Sequence, residues 1–284
     1  MSVDNTIAFQ GEPGANSDMA CRAVFPGMAP LGCYSFEDAF GAVHDGKARL
    51  AMIPIDNSVA GRVADIHHLL PNSGLQIIGE HFQRVDHHLL ALPGTLIGEL
   101  THVHSHVHAL NQCRALLKDL RVEPVVHADT AGAAHMIKDL NNPTQGAIAS
   151  VLASQIYDLD VLRSNIEDAE HNTTRFLIMA AERQDLRSER VKGKVITSFV
   201  FRVKNIPAAL YKALGGFATN GINMTKLESY LVDGSFQAAQ FYAEVEGNPI
   251  EKPMELAFDE LFHYTHEIKI LGTYPASPVR AEIG

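Results

Sequence analysis

The chain has 284 residues, 46% of them hydrophobic, enough to bury a substantial core in about two domains. A formal charge of -10 without a concentrated basic face argues against nucleic-acid binding, and no uncharged apolar stretch is long enough to span a bilayer. No basic stretch precedes an apolar run at the amino terminus, and the widely spaced Cys21, Cys33 and Cys113 suit neither a disulfide framework nor a metal knuckle, so a cytoplasmic protein with reduced thiols is expected.

Up to about residue 181, short apolar runs alternate with amphipathic stretches. Residues 6–9, 50–55, 88–92, 146–149 and 175–181 read as buried strands. Between them Val59, Val63, Ile66 and Leu70 recur at helical spacing, as do Val107, Leu110, Leu117 and Leu120. This alternation predicts α/β layering around a largely parallel sheet. Residues 182–194 are nearly all polar and cannot bury a face, which predicts an exposed linker between a domain over 1–181 and one over 195–275.

In the second domain, 195–203 reads as a strand, 207–220 as a helix and 222–231 as extended chain. After a turn at Val232, Asp233 and Gly234 come a strand over 235–245, a helix over 253–264 and a last strand over 267–271. The order βαββαβ is ferredoxin-like. Pro207 suits the first position of a helix and Gly221 its end.

Polar clusters fall at predicted strand ends of the first domain, where an open α/β sheet exposes groups to a crevice. They centre on Gly11, Gly14 and Ser17, on Asn57 and Ser58, on Ser105 and His106, on Asp129 and Thr130, and on Asn172 to Phe176. Taken singly, Ser17, Ser58, Ser105 and Asp129 read as helix caps. Together with glycines that admit close backbone approach, they also describe a neutral, donor-rich pocket for carboxylates. Thr173, Thr174, Arg175 and Phe176 bring hydroxyls, a cation and a ring to one strand end. Arg175 suits either a bidentate grip on a carboxylate or a structural ion pair. His102, His104, His106 and His108 would share a face on one strand, but a helix starting near Ser105 turns the last two away, so no metal is expected. The Gly11 loop lacks the Gly-Lys-Ser or Gly-Lys-Thr of a phosphate cradle, which argues against a nucleotide enzyme.

In order and spacing, four of these series resemble prephenate dehydratase: Gly11, Gly14 and Ser17; Pro54, Ile55, Asp56, Asn57 and Ser58 with Gly61; Ser105, His106, Ala109, Leu110, Gln112 and Cys113; and Thr174, Arg175 and Phe176. The resemblance continues through 129–134, 146–150, Ile166 and an ACT domain. It implies a two-lobed, periplasmic-binding-protein type II-like catalytic region followed by a ferredoxin-like βαββαβ ACT domain, with the active site in the cleft between the lobes. Thr174 is then the catalytic hydroxyl, and Ser17, Asn57, Ser58, Ser105, Gln112, Thr130, Thr173, Arg175 and Phe176 bind substrate. The implied substrate is prephenate, which loses carbon dioxide and water to give phenylpyruvate. Aromatisation drives the reaction, so no cofactor is required. The implied allosteric ligand is phenylalanine, held by Ala208, Ala209, Leu210, Glu228 and Ser229 in a homodimer or homotetramer.

The chain departs from the family pattern at three places. Asp56 stands where the family often has Glu, Ala208 where its ACT domain has the Gly of Pro-Gly-Ala-Leu, and Tyr230 and Leu231 where it has Arg and Pro. Arogenate as substrate, and a non-enzymatic amino-acid sensor, are the alternative readings.

Overall fold

A computed structural model describes residues 5–169, 171–182, 193–232 and 235–283. The predicted linker lies outside the described residues except for Glu182, Gly193 and Lys194, and the turn residues Asp233 and Gly234 also lie outside them.

In chain order the elements begin with β1 (Thr6–Gln10), α1 (Asn16–Val24), β2 (Ala29–Cys33), α2 (Phe36–His44), β3 (Leu50–Asn57), β4 (Gly61–Arg62), α3 (Ala64–Leu69) and β5 (Gln76–Arg84). Then come β6 (His88–Ala91), β7 (His102–Ser105), α4 (Val107–Gln112), α5 (Arg114–Leu120), β8 (Glu123–Val126) and α6 (Thr130–Leu140). They are followed by β9 (Gln145–Ala149), α7 (Val151–Tyr157), β10 (Asp160–Arg163) and β11 (Thr173–Ala180). The chain continues with β12 (Val195–Val203), α8 (Ala209–Thr219), β13 (Met224–Val232), β14 (Ser235–Glu246), α9 (Lys252–Tyr264), β15 (Thr265–Pro275) and α10 (Arg280–Ile283). Two compact units result: residues 1–63 with 81–176, and residues 64–80 with 177–284.

In the first unit, β1 pairs in parallel with β2 and β3, and β11 lies beside β3. Ile7, Ala8, Ala51, Met52 and Ile53 are fully buried, as continuous apolar runs require in strands covered on both faces. A second sheet has the order β10-β6-β9-β7-β8. There β7 runs parallel to β8 and β9, whereas β6 is antiparallel to β9 and β10, so the largely parallel expectation is corrected for this sheet. Leu89, Val103 and Ile148 pack with Leu110, Leu116 and Leu117 in one apolar cluster.

The helical pattern read from Val59 to Leu70 is also corrected. Asn57 Oδ1 accepts the N–H groups of Val59 (3.0 Å) and Ala60 (2.7 Å), and Gly61 has φ +82°, so the chain turns back into β4 before α3 begins. The run from Val107 to Leu120 is two helices, broken at Cys113 (φ -126°, ψ 27°).

The second unit carries β12-α8-β13-β14-α9-β15, with the antiparallel order β13-β14-β12-β15 of a ferredoxin-like fold. Phe199, Phe201, Phe217 and Phe241 fill its core with Ala213, Ala257 and Leu261. Gly221 ends α8 with φ +69°, as read from the sequence. Pro207 is not the first helical residue: it precedes the N-cap Ala208, which sits in the left-handed region at φ +58°. A side chain there costs about 1–2 kcal/mol relative to glycine.

Residues 64–80 belong to this unit, a grouping that the chain-order boundary at 181 did not foresee. His67 meets Tyr242 edge-on at 5.2 Å, His68 meets Tyr230 at 5.1 Å, and Lys269 Nζ donates to the Pro71 carbonyl. Strand β15 passes β5 at Gly272, where a Cβ would lie 2.1 Å from the Ile77 carbonyl oxygen, so only glycine fits. Arg280 donates from Nε and Nη2 to the two oxygens of Glu80 (2.7 and 2.8 Å) and from Nη2 to Glu244 (2.9 Å). Both carboxylate side chains are fully buried. Among the described residues no helix is long and apolar enough to cross a membrane.

Candidate functional site

The end of β3 and the start of β11 lie side by side in the first unit, and there the polar side chains converge. With Asn57 Oδ1 held by two backbone N–H groups, its Nδ2 faces the opposite way and donates to Asn172 Oδ1 (2.8 Å) and Thr174 Oγ1 (2.9 Å). Asn172 Nδ2 donates to Gln112 Oε1 (2.7 Å), which His87 Nε2 also approaches at 2.8 Å. Asn172 and Thr174 are two residues apart on extended chain and therefore share a face.

Ser58 ties the β3 turn to β11: its N–H donates to the Thr173 carbonyl (2.9 Å), its Oγ accepts the Thr173 N–H (2.9 Å), and its hydroxyl donates to the His171 carbonyl (2.5 Å). Arg175 is 7% exposed, with Nη1 3.7 Å from Asp56 Oδ2 and its guanidinium carbon 5.9 Å from the Phe82 ring centre. The arrangement favours the structural ion pair over a free carboxylate grip. Phe176 is 1% exposed, its ring buried beneath the strand.

The remaining first-domain candidates do not join this chain of amides among the described hydrogen bonds. Ser17 lies inside α1, whose N-cap is Ala15, and Thr130 opens α6 behind Asp129, which does cap by accepting the Gly132 N–H at 2.6 Å. Ser105 is not a cap but the last residue of β7, and its buried hydroxyl donates to the Ile148 carbonyl (2.6 Å), while His106 caps α4. The Gly14 loop is buttressed by Ser150, whose hydroxyl donates to the Gly14 carbonyl (2.5 Å), and by Tyr157, which donates to Pro13 (2.9 Å). At Gly14 (φ +91°) a Cβ would stand 2.8 Å from Ala153 Cα.

A cavity of about 770 Å³ adjoins this loop and α6, lined among others by Glu12, Cys33, His127, Asp129, His135 and Asp139. Asn57, Gln112 and Thr174 are not in its lining. Three carboxylates without lysine or arginine make it a poor place for a dianion, whereas the Asn57 cluster offers neutral donors.

Sequence reasoning places Asn172 in a polar cluster without giving it a role, and it missed His87 and Glu167. His87 is 4% exposed, its backbone N–H donates to Glu167 Oε2 (2.9 Å), and its carbonyl accepts from Ile166 (2.9 Å). Burial pushes its imidazole below the ordinary histidine range, against the opposing hydrogen bond to Gln112. The other histidines have local roles: His104 Nε2 meets Gln145 Oε1 at 2.6 Å, and His102 meets Thr101 Oγ1 at 2.8 Å. All three cysteines are free thiols, and burial raises each of them.

In the second unit, Ala208, Ala209 and Leu210 form the start of α8, with Ala209 buried, and Glu228 and Ser229 lie in β13 opposite Tyr242 and Phe241. Lys226 Nζ lies 3.5 Å from Glu228. Tyr230 is buried against His68.

Fold and site together define a two-lobed α/β enzyme with a neutral, donor-rich site and a ferredoxin-like C-terminal part. The profile of the prephenate dehydratase family matches residues 7–184. The chain belongs to that family, whose activity is that of a decarboxylating dehydratase, a lyase. It is 50% identical over 280 residues, 99% of each chain, to a bifunctional N-acyl-homoserine lactone acylase/prephenate dehydratase of Komagataeibacter europaeus. It is 38% identical over 288 residues to the chloroplastic arogenate dehydratase/prephenate dehydratase 1 of Arabidopsis thaliana, covering 96% of this chain and 73% of that one. The prephenate dehydratase of Arthrobacter aurescens, solved in complex with L-Phe, superposes with a TM-score of 0.86 at 26% identity over 95% of this chain and 90% of the other.

Proposed function

We propose that the chain converts prephenate to phenylpyruvate, carbon dioxide and water in phenylalanine synthesis, using Thr174 as a positioned hydrogen-bond donor. The observation that carries this reading is the Asn57 Nδ2 bond to Thr174 Oγ1, which occupies a lone pair and leaves the hydroxyl hydrogen for a ligand. As the ring carboxylate leaves as carbon dioxide, the electron pair of its C–C bond enters the ring and the ring hydroxyl departs. One proton taken up from solvent completes the water. Thr174 is too weak an acid to supply that proton, so it stabilises the departing oxygen by orientation in a site shielded from water. Gln112 and the residues around it hold the substrate and exclude compensating charge from the leaving carboxylate, with the fully bonded Asn57 amide keeping Thr174 in place.

In this reading 1–181 is the catalytic domain, 182–194 the linker and 195–275 the ACT regulatory domain. The protein works in the cytoplasm as a homodimer or homotetramer. Purified protein is tested in parallel with prephenate, with arogenate and with an N-acyl-homoserine lactone. The expected result is ultraviolet absorbance of phenylpyruvate from prephenate. The arogenate arm decides the alternative dehydratase substrate. The lactone arm follows from the name of the Komagataeibacter europaeus relative, and lactone turnover without prephenate turnover would overturn the assignment.

Phenylalanine as ligand is supported by the Arthrobacter aurescens protein having been solved with L-Phe, and its site is read at Ala208, Ala209, Leu210, Glu228 and Ser229. Phenylalanine is expected to bind the full chain saturably in calorimetric titration and to lower turnover over the same concentration range, since effector and activity are linked through one equilibrium. An absence of binding well above physiological concentrations removes the regulatory reading and leaves the dehydratase standing.

A further inference from the structure

We propose that His87 is a positioning residue: through Gln112 and Asn172 it locks in place the hydrogen-bonded amides whose direction Asn57 sets, and so keeps the Thr174 hydroxyl a donor. The proposal rests on the dehydratase reading and deepens it.

The direction is forced one link at a time. The Val59 and Ala60 N–H groups can only donate, so they fix Asn57 Oδ1 and turn Nδ2 toward Asn172 and Thr174. Asn172 must then present Oδ1 to Asn57, which leaves its Nδ2 for Gln112 Oε1. An oxygen that accepts from Asn172 faces His87 Nε2 at 2.8 Å, so that ring nitrogen carries the proton and donates. The Nε2–H tautomer of His87 is thereby selected, and the side chain is 4% exposed, where water cannot substitute for it. His87 is itself clamped at its backbone by Glu167 and Ile166. Asp168, next in sequence to Glu167, accepts N–H groups of Arg114 (3.0 Å) and Ala115 (3.3 Å), and its own N–H donates to the Gln112 carbonyl (2.6 Å). The same short segment thus seats both ends of the His87–Gln112 bond.

Without the His87 donor, Gln112 is held in orientation by one partner and its amide is able to flip. A flipped Gln112 favours a flipped Asn172, which would set the Asn172 NH₂ against the Asn57 NH₂. Asn57 cannot turn over, because its oxygen is pinned. The donor–donor clash would therefore push Asn57 away from Thr174 and free the hydroxyl to rotate.

Steady-state kinetics on the full chain with prephenate test this with His87→Leu, His87→Gln and Asn172→Asp, each alone and combined with Thr174→Ala. His87→Leu is expected to lower kcat by about ten- to a hundred-fold with KM nearly unchanged, as misplacement of a catalytic group by about 1 Å does. His87→Gln, which retains an N–H donor, recovers most of the loss. In the Thr174→Ala background His87→Leu adds less than about three-fold, because the hydroxyl it orients is gone. Asn172→Asp, which cannot donate to Gln112, behaves like His87→Leu in the same cycle and decides the matter should His87→Leu fail to fold. Additive losses, or a His87→Gln variant as poor as His87→Leu with unchanged thermal unfolding, overturn this proposal alone. A wild-type protein without dehydratase turnover overturns the functional reading and this proposal together.

Discussion

Thr174→Ala is expected to lower kcat by about 10²–10³-fold while KM changes little, by the measure of removing one oriented donor at a developing charge. The volume lost is small and the position is half-buried, so folding is not the source of the effect. Thr174→Ser keeps the oxygen that accepts from Asn57 but loses the methyl group that restricts its rotamers, and intermediate turnover follows. Kinetics of both variants beside thermal unfolding check this. Near-normal turnover of Thr174→Ala would strip the residue of its role.

Loss of Arg280 should do the largest damage to stability. Its guanidinium engages two carboxylates whose side chains are fully buried, and Glu244 is further tied to the Tyr242 hydroxyl at 2.6 Å. Removing one partner of a buried ion pair costs about 3–5 kcal/mol, on the order of 10 °C in Tm for a unit of this size. Arg280→Lys keeps the charge but not the planar fork that reaches both carboxylates, so it falls between wild type and Arg280→Ala. Differential scanning calorimetry reads all three. An Arg280→Ala protein that melts with the wild type would show that the cluster contributes no net stability.

Local pattern made the ferredoxin-like part legible, because its strands are β-rich runs set apart by turn residues and its helices carry one apolar face each. Strand β2 was not: Pro30 and Gly32 are poor strand formers, tolerated here because β2 lies at the sheet edge. Residues 59–63 read as helical because spacing alone cannot show that the Asn57 side chain captures two backbone N–H groups and turns the chain. At the site, Asn57, Gln112 and Thr174 came from motifs and do meet. Ser58 and Ser105 came from the same motifs, yet their hydroxyls donate to backbone carbonyls. Asn172 falls in the same polar cluster as Thr174, but no motif assigns it a role, although its two-residue spacing from Thr174 points to a shared strand face. His87 was hidden beside an apolar run, and its partner Gln112 lies 25 residues further along the chain.

The discontinuous C-terminal unit also constrains how this protein is made. Glu80 meets Arg280 across 200 residues, and Pro71 meets Lys269 across 198. Residues 64–80 leave the ribosome long before the strands they pack on exist, so this unit cannot close until the segment carrying Lys269 and Arg280 has followed them out. Until then, its segments have to be kept from wrong partners by the solubility of the nascent chain or by chaperones. A cut between 182 and 194 would likewise yield a C-terminal fragment lacking Glu80 and the histidines of α3, which is why phenylalanine binding is best measured on the intact protein.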